Sequence, residues 1–151
     1  MEGKQVRQSS VTMSHLVMPQ DANIVGNVHG GVIMYHIDTA AGVVAGRHAR
    51  CNVVTASIDR LDFHNPAFIG EVLTLKASLN LVGKTSMEIG VRVEAENIRT
   101  TEVRHIASAY LTFVSIDKNR RAVEVPPLIL EDETEIRRNR EAKDRKARRF
   151  S

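Results

Sequence analysis

Residues 27–49, NVHGGVIMYHIDTAAGVVAGRHA, constrain this chain more than any other stretch. Gly30-Gly31 opens it, where a backbone can turn tightly and present bare N–H groups. A Pro-free run follows, long enough for about four to five turns of helix. Val32, Ile33, Met34, Ile37, Ala40, Ala41, Val43 and Val44 put apolar groups on nearly every side of it. A helix of that kind is either buried or spans a membrane. Spanning takes about 20 unbroken apolar residues, and charges and His interrupt this run. The stretch therefore reads as a central core helix. Asp38 sits in its middle. A buried, unpaired carboxylate costs several kcal/mol, so Asp38 is a candidate for function.

The remaining composition narrows the class. A chain of 151 residues suits one domain with a real core. Apolar content of 42% and charged content of 26% exclude wholesale disorder. The net charge of +3 is concentrated at the end, where the last 21 residues hold eight Lys/Arg against six Asp/Glu. The body is nearly neutral and does not call for nucleic acid. Aromatic residues, at 4%, are too few for stacking on single-stranded bases. MEGKQVRQSS carries no apolar leader region, and no stretch suits a membrane span, so no membrane partner is expected. A lone Cys51 fits a reducing, cytoplasmic setting.

Taken in order, residues 1–10 read as a flexible N-terminus and Val11 to Val17 as a short alternating strand. Pro19 ends it. Residues 19–31, PQDANIVGNVHGG, form a long loop that delivers the chain to the helix; such loops are often functional. Asn52 to Phe63 is rich in β-branched residues and reads as a strand. Leu73, Leu75, Ala77, Leu79 and Leu81 alternate with polar residues, as do Met87, Ile89, Val91, Val93 and Ala95 after the Gly83-Lys84 turn. His105 to Ile116 is a last long strand. The folded domain spans 11–127, and 128–151 is a charged helix or tail, acidic first and basic last, with almost no apolar stripe. One antiparallel sheet covers only one side of a helix that is apolar all round. A second copy of the chain supplies the missing cover, so an obligate dimer is expected.

DANIVGNVHGG, HIDTAAGVVAGRH, NVVTASIDRLDFHNPAFIGEV, KTSMEIGVRVEAE, ASAYLTFVSID and VPPL together resemble the hotdog-fold acyl-CoA thioesterases, most closely the cytosolic acyl-CoA hydrolase group. The likeness runs from about Val11 to Thr134. It implies an α+β hotdog fold, an antiparallel sheet wrapped around a long central helix. It also implies hydrolysis of acyl-CoA to free CoA and a carboxylic acid, with no cofactor beyond the coenzyme A of the substrate. The family's catalytic Asp maps onto Asp38 and its loop Asn onto Asn23, the two contributed by different protomers. Its CoA-contacting backbone maps onto Ala56, Ser57 and Ile58 and onto Thr85, Ser86 and Met87. Animal relatives carry two hotdog copies per chain. This sequence has one copy with both Asn23 and Asp38, so a homodimer would hold two equivalent sites. Family members often assemble further, as trimers of dimers.

The chemistry agrees with the residues. Asp38 can serve as general base or as nucleophile, and Asn23 can orient water or the carbonyl. The Gly31 N–H can donate to the thioester oxygen at the helix N-terminus. Asp38 lies about two turns past Gly31, on nearly the same face. Lys84, or Arg60, can pair with CoA phosphates. No H-E-x-x-H is present and one Cys builds no zinc cluster, so no metal is expected. Ser57 lies in no G-x-S-x-G. Two other classes compete: a dehydratase-type hotdog enzyme, which pairs His with an acid, and a non-catalytic module that binds or senses CoA.

Overall fold

The computed structural model describes residues 1–149. Its centre is a five-stranded antiparallel sheet with the order β2-β4-β5-β6-β3. The strands are β2 (Val11–Leu16), β3 (Asn52–Phe63), β4 (Val72–Val82), β5 (Ser86–Glu96) and β6 (Val103–Ile116). Helix α1 (Gly30–Ala49) lies across one face and packs against all five. The fold is a hotdog, as the sequence blocks imply. Among the described residues, no helix is long and apolar enough to cross a membrane.

Period-two alternation explains the sheet. Leu73, Leu75, Ala77 and Leu79 on β4 meet Ala95, Val93, Val91 and Ile89 on β5, and all are buried. Ala107, Ala109, Leu111 and Phe113 extend that face on β6. α1 presses Ile33, Ile37, Ala40, Ala41, Val44 and Ala45 into it. The three alanines let the helix approach closely, and these spacings form one helical stripe. The helix is not covered on every side, as its composition suggested. Gly31, Met34, Tyr35 and Thr39 face away from the sheet and are exposed, with Asp38 half-exposed among them. Within one chain nothing covers them, which is the condition that called for a second copy.

Three further expectations change. The first ten residues are not a loose lead. Strand β1 (Lys4–Gln5) pairs in parallel with β7 (Leu128–Ile129), and Val6 and Ser9 are buried. These ten residues and the segment after 127 therefore pack together rather than flanking a separate 11–127 body. Leu81 leaves the core face, because the β4–β5 pairing skips Asn80 and sets Leu81 opposite Glu88. The charged C-terminal stretch is a docked helix, α2 (Glu133–Arg149), with Ala142 fully buried. It lies on the sheet face opposite α1, which is why Glu88 and Asn80, expected on a wet face, are buried.

His48, at the end of α1, is buried, and its Nε2 donates to Pro126 O at 2.7 Å. That fixes the neutral tautomer and leaves Nδ1 without a partner. Burial holds its imidazole below the ordinary value, outweighing the Pro126 bond, while Lys4 lowers it further. The unfolded chain therefore takes up this proton first as pH falls. The stability it contributes is complete above about 6.5 and is lost as pH drops below it. In urea unfolding, the wild-type midpoint should fall between about pH 7.5 and about pH 5.5. His48→Gln keeps a donor but cannot titrate, so its midpoint should fall less over the same range.

Candidate active site

The long loop before α1 is tied down by its own side chains. Asp21 Oδ2 accepts from the Met18 N–H at 2.8 Å and pairs with His15 Nε2 at 2.8 Å. Asp21 O accepts from the His29 N–H at 3.0 Å, so one residue clips both ends of the loop. The Met18 bond, then the His15 bond, hold the Asp21 carboxyl below the ordinary carboxylate range. Asn23 Oδ1 accepts from Val25 N at 3.1 Å and Asn27 N at 3.2 Å, an Asx-type turn. Gly26, at φ +90°, turns the tip in a conformation few side chains allow. The tip leaves Ile24 and Val25 exposed. Since backbone N–H groups can donate only to oxygen, the Asn23 amide is oriented. Its Nδ2 has no acceptor among the described residues.

The loop ends at the first turn of α1. His29 is the N-cap and caps with no side-chain bond. Val32 and Ile33 N–H groups both donate to His29 O, and those of Gly30 and Gly31 have no acceptor among the described residues. A Cβ on Gly31 would meet nothing within 4 Å, so this end of the helix is open. The Phe63 ring lies against Gly30, 3.5 Å from where a Cβ would sit.

Asp38 follows on the same exposed face. Its Oδ1 accepts from Thr55 Oγ1 on β3 at 2.6 Å. Oδ2 has no partner among the described residues and points its lone pairs at whatever enters. One chain does not lodge this carboxylate in apolar surroundings, as the buried-helix reading expected; it leaves it half-open. Asn23 makes no hydrogen bond to Asp38 within the chain.

The two segments mapped as CoA contacts lie on β3 and at the start of β5, with β6 between them. Thr55, Phe113 and Met87 form one row across β3, β6 and β5, and Ser57, Thr112 and Glu88 form the next. Ala56 and Ile58 are exposed, and Ser57 turns to the opposite face. Met87 is a core side chain, so only its backbone is available to a ligand. The carbonyls of Lys84 and Thr85 accept from Val125 N and Ser115 N. Lys84 is exposed and only loosely paired with Glu124, at 3.9 Å, while Arg60 is paired with Asp62 at 2.7 Å. A cavity of about 510 Å³ lies elsewhere, under α2 on the other face, between residues such as Lys76, Arg92, Tyr110 and Arg145. In one protomer, Asp38 stands on an open surface.

The thioesterase superfamily model matches residues 25–102. This chain belongs to the thioesterase superfamily. It is 39% identical over 146 residues to the human cytosolic acyl coenzyme A thioester hydrolase, covering 95% of this chain and 38% of that protein. The chain thus spans about two fifths of the length of the human, rat and mouse cytosolic hydrolases it matches. It is 38% identical over 130 residues to an uncharacterised acyl-CoA thioester hydrolase of Bacillus subtilis, 86% of this chain and 76% of that one. A hexameric acyl-CoA thioesterase solved without ligand superposes at a TM-score of 0.96, with 35% identity over 99% of this chain and 96% of that one. The Staphylococcus aureus acyl-CoA hydrolase, solved with butyryl-CoA, CoA and CoA disulfide, superposes at 0.91 with 33% identity, over 97% and 90% of the two chains. It has also been solved with an aspartate, an asparagine and a threonine each replaced by alanine.

Thr55, the hydrogen-bond partner of Asp38, is a residue the sequence did not single out. Its only signal was a Thr in a β-branched strand, which says nothing of a carboxylate partner. The loop clip makes a separate expectation. Asp21→Ala removes both acceptor bonds and should cost about 1–3 kcal/mol in urea unfolding. It should also speed hydrogen exchange at the Met18 amide. In the wild type, the depressed carboxyl keeps this contribution down to about pH 4, and it fades as pH falls through the folded-state value.

Proposed function

We propose that this chain is an acyl-CoA thioesterase that hydrolyses acyl-CoA to free CoA and a carboxylic acid. The observation that carries the proposal is Asp38: one carboxylate oxygen held by Thr55, the other free, on the helix face that begins with two unclaimed N–H groups. The names of the relatives support the reaction. The three residues replaced in the Staphylococcus aureus hydrolase are spaced along its chain as Asn23, Asp38 and Thr55 are here, which supports these roles.

Asp38 Oδ2 takes a proton from water as the water oxygen attacks the thioester carbonyl carbon. The carbonyl oxygen becomes an oxyanion and accepts from the Gly31 N–H, with the helix dipole behind it. The C–S bond then breaks, the acid leaves, and the CoA sulfur receives the proton. Asn23 acts as a donor, because its Oδ1 is occupied and only Nδ2 is free. It comes from the partner protomer, as the resemblance to the family implies. Backbone of Ala56–Ile58 and of Thr85–Met87 holds the pantetheine, and Lys84 faces the phosphates. The reaction calls on no cofactor. The protein acts in the cytoplasm as a homodimer, assembled as a trimer of dimers.

Asp38→Ala should keep the assembly and lower kcat for acyl-CoA about 100-fold or more, read by release of free thiol. Wild-type turnover in that variant removes Asp38 from the reaction. Wild-type protein that binds CoA but releases no thiol from any acyl-CoA is a sensing module instead. Mixing Asn23→Ala and Asp38→Ala protomers should restore about a quarter of wild-type activity, because each two-fold heterodimer regains one whole site. Heterodimers with no activity refute the shared site.

A further inference from the structure

α2 is fastened to the sheet by polar contacts. Arg145 grips Glu88 with two bonds, of 2.8 and 2.9 Å, and stacks 3.6 Å over the Tyr110 ring. Asn139 Nδ2 donates to Asn80 O at 2.9 Å. These anchors carry the last turn of α2 over β3, on the face away from α1. There Arg149 Nη1 donates to Thr112 Oγ1 at 2.7 Å and to Asp59 at 2.8 and 3.0 Å, with Ser57 Oγ at 3.3 Å.

β3 is an edge strand, and its pairing with β6 is irregular at this point. The register steps between Thr55 and Ser57 and again between Ile58 and Arg60, leaving Ala56 and Asp59 as extra residues. Strict alternation would send Thr55, Ser57 and Asp59 to one face. The first bulge breaks that rule: Thr55 faces α1 and bonds Asp38, while Ser57 faces α2 and meets Arg149. Within one chain this bulge has a paired neighbour on one side only, so contacts on the outer face of β3 bear on which residue it leaves out.

We infer that Arg149 is a positioning residue for Asp38, acting through the bulge that aims Thr55. One guanidinium nitrogen ties the residue after the first bulge, that residue's cross-strand partner Thr112, and the second bulge residue Asp59. All three are held on the outer face, so Thr55 is left on the inner one. The segment that the sequence read as a charged, solvated helix or tail thereby reaches Asp38 through two bonds and one strand. The inference rests on the thioesterase reading for its effect on turnover, and on geometry alone for its effect on β3.

Arg149→Met tests it, because Arg145 and Asn139 still dock α2. Hydrogen exchange of the peptide covering β3 should rise at least about 10-fold in Arg149→Met and stay near wild type in Arg149→Lys. Unchanged exchange overturns the inference whether or not the protein turns over acyl-CoA. In kinetics, Thr55→Val should lower kcat about 10-fold with KM nearly unchanged, and Arg149→Met should lower kcat by a similar factor with KM raised as well, because the Ala56–Ile58 backbone loosens with the bulge. The double variant should be no slower than the slower single one, because both act on one contact. Multiplying effects, or a raised KM with kcat intact, would show Arg149 acting by another route and overturn it. An inactive wild type with the exchange effect present overturns the thioesterase reading and leaves the positioning role standing.

Discussion

A single sheet can cover only one side of a helix, and the rest of this molecule follows from that constraint. Ile33, Ile37, Ala40, Ala41, Val44 and Ala45 use the sheet's cover completely. What remains is a face running from Gly31 through Met34 and Tyr35 to Asp38 and Thr39. A substrate can reach only groups that the core has not claimed, so chemistry and assembly compete for this strip. The exposed Ile24 and Val25 at the loop tip, and the free edge of β3 beside Ile58, are further apolar surface in want of a partner. The features that make one protomer incomplete are therefore those that surround Asp38.

The other face of the sheet solves a different problem. α2 has one fully buried side chain, Ala142, and is otherwise mostly charged. It binds because Glu88 and Arg145 satisfy each other in a two-pronged pair, with Asn80 adding a bond from its amide at 3.1 Å. A buried ion pair gives little net stability against an apolar equivalent, but losing one partner strands a buried charge. Such a contact fixes where the helix sits more than how tightly. Placement is what matters here, since the last turn must meet Ser57, Asp59 and Thr112 in register.

Most of the fold was legible because it follows local periodicity. The alternation in β4 and β5 and the helical run of α1 declare themselves within the sequence, and β3 was bounded at Asn52 and Phe63 as found. Features set by pairing were not. Whether Ala56, Asp59 and Asn80 bulge depends on β6 and β5, so Ser57 and Leu81 point where alternation does not send them. α2 was hidden because its docking is built from specific ion pairs, and a hydrophobic pattern cannot report those. The start of the chain was hidden because β1 joins β7 from the far end of the sequence. Of the site, Asp38, Asn23 and Gly31 came from resemblance and residue type. The Thr55 bond that orients Asp38 needed coordinates, since it crosses from one element to another.

Hydrogen-bond bookkeeping then narrows what each site residue can do. Asp38 has one oxygen engaged as an acceptor from Thr55, so its remaining capacity is one oxygen, suited to receiving a proton. Asn23 is the reverse case: its oxygen is spent on Val25 and Asn27, and what remains is a donor. Gly30 and Gly31 offer donors only. A base on one side and donors on the other is the division that adding water to a carbonyl requires, where a proton is lost and negative charge gathers on oxygen. A dehydratase-type scheme needs a His paired with an acid at this place. His36 lies against His15 in a tilted pair with ring centroids 4.3 Å apart, and His15 is bound to Asp21, while His29, the exposed N-cap of α1, makes no side-chain cap bond. None of these three makes a hydrogen bond to Asp38, whose partner in this chain is the Thr55 hydroxyl, a donor that leaves one carboxylate oxygen open to a proton.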